Sequence, residues 1–289
     1  VILVITLIAA GSNAFLNWVL IYGHLGMPRL EVEGAAYATI IAKTVEMLLL
    51  IGYTIKERPE FISFSVFKRI DWALFGRILK KGSLLIISQM MWVLSESFMA
   101  AIYNGRGNAA VVSGMAASFS IANLFFISFD GITTATGVLI GKSLGRNELD
   151  DARKEKTWML SAAIIFGCIM CLVGVVTVLL VPVVFGNLSI DAQNICRAML
   201  LLMALFMPLW TFVNTQLAVC RAGGDTKVGF LVDGGTTAVM IPMLLILAFF
   251  TNASPVMMYF GVKALDVGKI IVATHEMKKE RWVVNLSNA

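Results

Sequence analysis

The sequence predicts an all-α membrane protein, a polytopic bundle of eight transmembrane helices, and three observations predict it. Hydrophobic residues make up 58% of the chain and charged residues only 14%, with a mean hydropathy of +0.84; soluble domains are about a quarter charged. Eight apolar runs, near residues 2–22, 33–55, 83–103, 109–140, 157–181, 196–219, 228–250 and 255–273, are each long enough to cross a hydrocarbon core about 30 Å thick as helix. The basic residues fall on alternate connections. Seventeen Lys and Arg lie after runs two, four, six and eight, whereas the other connections hold only Arg29, Arg106 and Arg197. Cytoplasmic loops carry such an excess, so the asymmetry predicts a cytoplasmic C-terminus. It also accounts for the net charge of +5 without a nucleic-acid partner.

Taken in order, runs one and two occupy residues 1–60. The chain starts at Val1 with neither Met nor a basic stretch ahead of the apolar run, unlike a signal peptide, and is expected to begin part-way through a longer protein. The connection 61–82 places Phe64, Phe67, Ile70, Leu74 and Ile78 at three- and four-residue intervals with Lys68, Arg69 and Arg77 between them. That spacing predicts an amphipathic helix in the headgroup region. Run three carries Gln89 and Glu96, and run four carries Asn123 and Asp130.

Run four ends in Gly141-Lys142-Ser143, which is how a phosphate-binding P-loop ends. The P-loop needs a glycine five positions before its last one. That position is Thr136, and a long apolar run precedes it where a strand should stand. Lys142 therefore opens a basic cytoplasmic loop. Run five holds Cys168 and Cys171, but with no second CxxC pair and only His24 and His275 in the chain, zinc is not expected; the cysteines read as small packing residues. Run six has Asn214, Gln216 and Pro208 but no Asp or Glu; run seven has Asp233 and Pro242; run eight has Lys263, Asp266 and Lys269 at intervals of three, which suits pairing along one face. Lys43 and Glu46 in run two have the same spacing.

Two glycine-bearing cytoplasmic stretches, GKSLGRNELDDARK (141–154) and CRAGGDTK (220–227), read as tight membrane exits, with glycine permitting a positive backbone angle and an acid placed to cap the next helix. Together with GMPRLEVEGAAYATIIAKTVE (26–46), IYNGRGNAAV (102–111) and KKERWVVNLS (278–287), they resemble the multidrug and toxin extrusion (MATE) transporters, whose second lobe carries a GxxLGxxxxxxA loop and an RAGGDT loop in these relative places. The resemblance covers essentially the whole chain. It implies a twelve-helix, two-lobe transporter of which this chain holds the last two helices of the first lobe (1–60), an interlobe connector (61–82), the six-helix second lobe (83–275) and a cytoplasmic tail (276–289).

Charge inside hydrocarbon costs at least about 2.5 kcal/mol, so each intramembrane ionisable group is a functional candidate. Glu96 lies about 22 Å of helix beyond Lys81, and Asp130 about 18 Å before Lys142. Either is a proton or cation carrier, or a packing group satisfied by nearby Ser and Thr. The resemblance implies an acidic coupling residue in the first helix of the second lobe, which Glu96 fits; Gln89, two turns earlier, is the other alignment. Some MATE members pair that acid with one in the fourth helix of the lobe, where run six has only Asn214 and Gln216, and this counts against a sodium site of that kind. Asp233 is close to the inner interface, where it is hydrated, caps a helix or binds cations; Asn123 is a candidate cavity-facing group.

The expected activity is therefore secondary efflux of organic cations by alternating access, coupled to H+ or Na+ and using no cofactor, with membrane lipid as surroundings and a monomer as the complete unit. The resemblance suggests a bacterial inner membrane. Proline kinks at Pro208 and Pro242 suit hinges or packing, and sixteen Met and eighteen Phe suit a cavity for lipophilic cations. Alternatives are a lipid-linked precursor flippase of the same superfamily, which would need a more cationic cavity than three midspan lysines supply, and a non-transporting scaffold or remnant. No nucleophile and base stand at a recognisable spacing, so an enzyme is not expected.

Overall fold

A computed structural model describes residues 1–57 and 71–285. The described residues form helices α1 (Ile2–Tyr22), α2 (Glu31–Glu57), α3 (Trp72–Arg106), α4 (Ala109–Gly145), α5 (Leu149–Val184), α6 (Ile190–Ala222), α7 (Lys227–Phe250), α8 (Pro255–Ala264) and α9 (Asp266–Lys278), with a 3-10 turn at His24–Gly26. Among them, α1 to α7 are long and apolar enough to cross a membrane. In hydrocarbon the backbone must satisfy its own polar groups, which is why the chain answers with helices throughout.

The eighth run departs from expectation. Residues 255–273 do not form one continuous helix: α8 stops at Ala264 and α9 starts at Asp266, with Leu265 as the joint. The joint keeps its hydrogen bonds, since Leu265 N–H donates to Val262 and Gly268 N–H donates to the Leu265 carbonyl. The amphipathic connector expected over 61–82 falls partly on residues 58–70, outside the described residues. From Trp72 onward its chain belongs to α3, which runs through Gly82 without a break.

Helix starts follow side-chain capping where a short polar residue is available. Asn108 accepts from the Val111 N–H, Ser189 from Ala192 and Ser254 from Met257, the last with Pro255 at the first helical position. The two glycine motifs turn differently from expectation. Neither Glu148 before α5 nor Thr226 before α7 makes a side-chain cap bond. The turns are made instead by backbone: Asn147 (φ 63°) and Gly224 (φ 76°) take the left-handed conformation, and the Glu148 and Asp225 N–H groups reach back to the carbonyls of Ser143 and Cys220. Such bonds satisfy the orphan carbonyls of a helix end.

The chain divides into two units, Val1–Trp72 and Ala73–Ala289. In the first, α1 packs on α2 around Val19, Leu20 and Ala38, and Lys43 pairs with Glu46 at 2.7 Å. In the second, α6 is the central helix, packed by α4, α5 and α9. Its seam with α5 is close: a Cβ built on Gly167 would lie 2.5 Å from Pro208 Cα, and one on Gly174 2.7 Å from Ala204 Cβ, so α6 meets α5 across residues without side chains. Small residues allow such approach where no hydrophobic force draws helices together in lipid. Elsewhere the core is soft. Met99, Met115, Met199, Met203, Met240 and Met258 pack with Tyr103, Leu244 and Tyr259 in one cluster. Cys196 and Cys220 are buried, whereas Cys168 is exposed.

At the end of the unit that carries the glycine motifs, the tail folds back on them. Trp282 is fully buried among Ile140, Leu144, Leu217, Val228 and Met277, its indole N–H donating to the Met277 carbonyl. Gly223 admits it: a Cβ there would lie 1.7 Å from the Trp282 carbonyl oxygen. Arg153 donates to Glu280 Oε2 from two nitrogens at 2.9 and 3.2 Å and to Oε1 at 3.4 Å, and Asn285 to the Gly145 carbonyl. The guanidinium bonds hold the Glu280 carboxyl below the usual glutamate range and raise Arg153.

Two outcomes follow. Gly167→Ala should lower stability by about 1–3 kcal/mol through overpacking, whereas Gly137→Ala, with nothing within 4 Å of its Cβ, should raise it by about 0.5–1 kcal/mol through helix propensity; reversible unfolding in detergent reads both. Because the folded Glu280 carboxyl is depressed, its contribution to tail docking is complete above the unfolded glutamate value of about 4.3 and is lost as pH falls through the lower folded value. Hydrogen exchange of residues 279–285, corrected for intrinsic rate, should rise below pH of about 4 and be high already at neutral pH in Arg153→Gln.

Candidate functional site

The second unit contains a polar cleft among its helices, built from residues that hydrocarbon would otherwise exclude. α3 supplies Trp92, Ser95 and Glu96; α7 supplies Asp233, Thr236, Thr237 and Met240; Lys263 from α8 and Asp266 and Lys269 from α9 close it. Its free volume of about 20 Å³ holds about one water molecule.

Glu96 stands at its centre. Its Oε1 accepts a hydrogen bond from Lys263 Nζ at 2.6 Å, and the two side chains are 31% and 11% exposed, so the carboxylate keeps an open side while the ammonium is enclosed. The Lys263 ammonium also lies 5.5 Å from the Tyr259 ring centroid and 5.7 Å from that of Trp210, within the range at which an aromatic face attracts a cation. Trp210, on α6, donates its indole N–H to Asp266 Oδ2 at 2.8 Å. Asp266 Oδ1 holds Lys269 at 3.2 Å. On the other side Ser88, fully buried, donates to Asp233 Oδ2 at 2.7 Å, and Ser95 bonds Thr237 at 3.0 Å. The result is a cluster of three acids and two lysines, in which Glu96 pairs with Lys263 and Asp266 with Lys269, while Asp233 is held by the Ser88 hydroxyl and Asp266 also by the Trp210 indole.

Lys263 and Asp266 are separated by the end of one helix and the start of the next, and Lys263 pairs with Glu96 of α3 rather than with Asp266. The expected pairing along one face of the eighth run therefore holds for Asp266 and Lys269 and not for Lys263. Of the sequence candidates, Glu96 and Asp233 meet in the cleft. Gln89 is exposed and outside it; Asn123 and Asp130 are exposed on α4 and line no part of it; Asn214 is exposed and donates to the Trp210 carbonyl of its own helix. The buried amide of α6 is instead Gln216, which donates to Thr274 at 2.8 Å. Lys263, Trp210 and Tyr259 were not singled out as site residues by sequence. The signal for Lys263 was its depth in an apolar run, masked by two neighbours with which it could pair.

The model of the MatE family matches residues 85–246, more than half of the chain. Similar proteins include a "probable multidrug resistance protein NorM" of Mesorhizobium japonicum, 26% identical over 96% of this chain and 61% of that protein. Another of the same description, from Brucella suis, is 27% identical over 91% of this chain and 57% of the other. The chain thus spans about three fifths of the length of these relatives. Among solved structures, the fold matches the Vibrio cholerae MATE transporter VcmN in its bent form, with a TM-score of 0.74 and 17% identity over 97% of this chain and 63% of that one. It also matches an outward-facing multidrug resistance MATE family transporter of the MOP superfamily, with a TM-score of 0.80 and 18% identity over 96% of this chain and 61% of that one.

The Ser88 contact gives a direct test of how tightly the cleft is held. Ser88→Ala removes a buried hydrogen bond to a carboxylate and should cost roughly 1–3 kcal/mol in an unfolding titration, while Ser113→Ala, whose hydroxyl bonds only its own helix, should stay within about 0.5 kcal/mol.

Proposed function

The chain belongs to the MatE family, and from that premise we propose that it forms part of a secondary active transporter that expels organic cations across a bacterial inner membrane, its C-terminus in the cytoplasm. The observation that carries this reading is Glu96: a carboxylate among membrane-crossing helices, half-open to a polar cleft and already engaged with an ammonium between two aromatic rings. A carboxylate of this kind binds a cation when ionised and releases it when protonated, which is the elementary exchange an antiporter needs.

The coupling ion is H+ or Na+, and the cleft supports a reading with either. Protonation of Glu96 from the outside would release a bound organic cation, and loss of that proton to the inside would reset the site. For sodium, the hard oxygens of Asp233, Ser95, Thr236 and Thr237 line the same cleft, which supplies from α7 the acid that α6 lacks. Alternating access between two lobes then delivers the exchanged ions to opposite faces. The relatives described as multidrug resistance proteins support the substrate class.

In everted vesicles containing the native gene product, Glu96→Gln should abolish gradient-driven extrusion of a cationic dye while leaving the protein in the membrane, because the amide cannot exchange a charge. Extrusion by Glu96→Gln at the normal rate would sink the assignment, and dye efflux by the unsubstituted protein that survives collapse of both the proton and the sodium gradient would sink secondary transport.

A further inference from the structure

Glu96 meets its cation in an unusual form: the ammonium belongs to the protein. A carboxylate at one side and aromatic faces at the others make the pattern that recognises organic ammonium groups. Here the ε-ammonium of Lys263 fills it, 2.6 Å from Glu96 Oε1 and 5.5 and 5.7 Å from the ring centroids of Tyr259 and Trp210. A simple packing ion pair needs no aromatic walls. Nearby, the hydroxyl of Tyr103 is buried without a hydrogen-bond partner, its ring edge-on to Tyr259 at 6.1 Å, so the pocket has an unused polar group beside the cage. Lysine is also the residue suited to leaving: its charge is compact and its four-carbon stem is flexible, unlike the planar fork of arginine. A second acceptor is at hand, because Asp266 lines the same cleft one turn along the chain.

We propose that Lys263 is a tethered cation occupying an organic-ammonium subsite formed by Glu96, Tyr259 and Trp210, and that a substrate ammonium binds there by displacing the lysine toward Asp266. This rests on the reading of Glu96 as the cation-exchanging carboxylate, and names the group that competes for it. With the lysine in place the cleft has room for about one water, so the subsite is closed until the lysine moves. No carboxylate is left bare in either state. Glu96 is covered first by Lys263 and then by the ligand, while Asp266 keeps Lys269 at 3.2 Å throughout. The ligand class is a primary to quaternary ammonium with room for an aromatic contact, and the lysine sets a threshold that weakly held cations do not cross.

The test uses the purified chain in detergent with two probes. Lys263→Ala vacates the subsite. Ethylammonium, which replaces the lost head group, should raise the unfolding temperature of Lys263→Ala but not of the unsubstituted chain, and sodium at equal ionic strength should not reproduce it. The double variant Lys263→Ala with Glu96→Gln should lose the response. Tetraphenylphosphonium should bind Lys263→Ala about tenfold more tightly than the unsubstituted chain, the factor lost by a site that its own lysine fills nine-tenths of the time. Lys263→Gln, which keeps a polar side chain in the bundle, should show the same gain and serves where Lys263→Ala does not fold. Equal or weaker binding of the phosphonium by the folded variant, or a rescue that sodium matches, would overturn the proposal. Neither readout needs a gradient or a transport cycle. Vesicles that fail to extrude dye would therefore overturn the transport reading with this result standing, and the reverse also holds.

Discussion

A charge inside a membrane must be matched by another charge or by hydrogen bonds, and in the second unit the match that joins distant parts of the chain is one contact between the third helix and the eighth. Glu96 and Lys263 are 167 positions apart in the chain, and each would be costly alone. Lys263 stands in the last turn of α8, two residues before the joint at Leu265. The joint sets Asp266 at the start of α9, where the indole of Trp210 and the ammonium of Lys269 satisfy it. The charges, the helix break and the aromatic cage thus meet at one place in the unit. A pair of this kind adds little stability over well-packed apolar side chains.

The membrane helices were legible in the sequence because they depend on sums: run length and mean hydropathy. Seven of the eight runs are helices long enough to cross. The break in the eighth left no such trace. No proline or glycine stands at Leu265, and both flanking segments are apolar helix formers, so the only local sign was the crowding of Lys263, Asp266 and Lys269. The glycine motifs were placed correctly as turns, but the left-handed residue of the first is Asn147 and not a glycine. Asparagine tolerates that conformation, and nothing in the sequence ranked it above Gly145.

The candidate site was legible in part for a related reason. Depth along a helix follows from counting residues, so Glu96 and Asp233 could be picked out. Direction around the helix does not follow in a bundle that is apolar on all sides, and Asn123, Asp130, Gln89 and Asn214 are exposed and line no part of this cleft. Trp210 and Tyr259 were invisible as site residues because an aromatic in an apolar run looks the same whether it packs against lipid, a neighbour or a cation.

The methionine cluster divides the unit mechanically. Six thioethers contributed by α3, α4, α6, α7 and α8 meet where branched side chains would have fixed a single arrangement, and each has three rotatable bonds with which to follow a moving neighbour. On the opposite flank of α6, Pro208 is keyed into the gap at Gly167, a contact with no slack. One flank is therefore lined by side chains that can re-form their contacts after a displacement, and the other by a backbone seam with no room even for a methyl group.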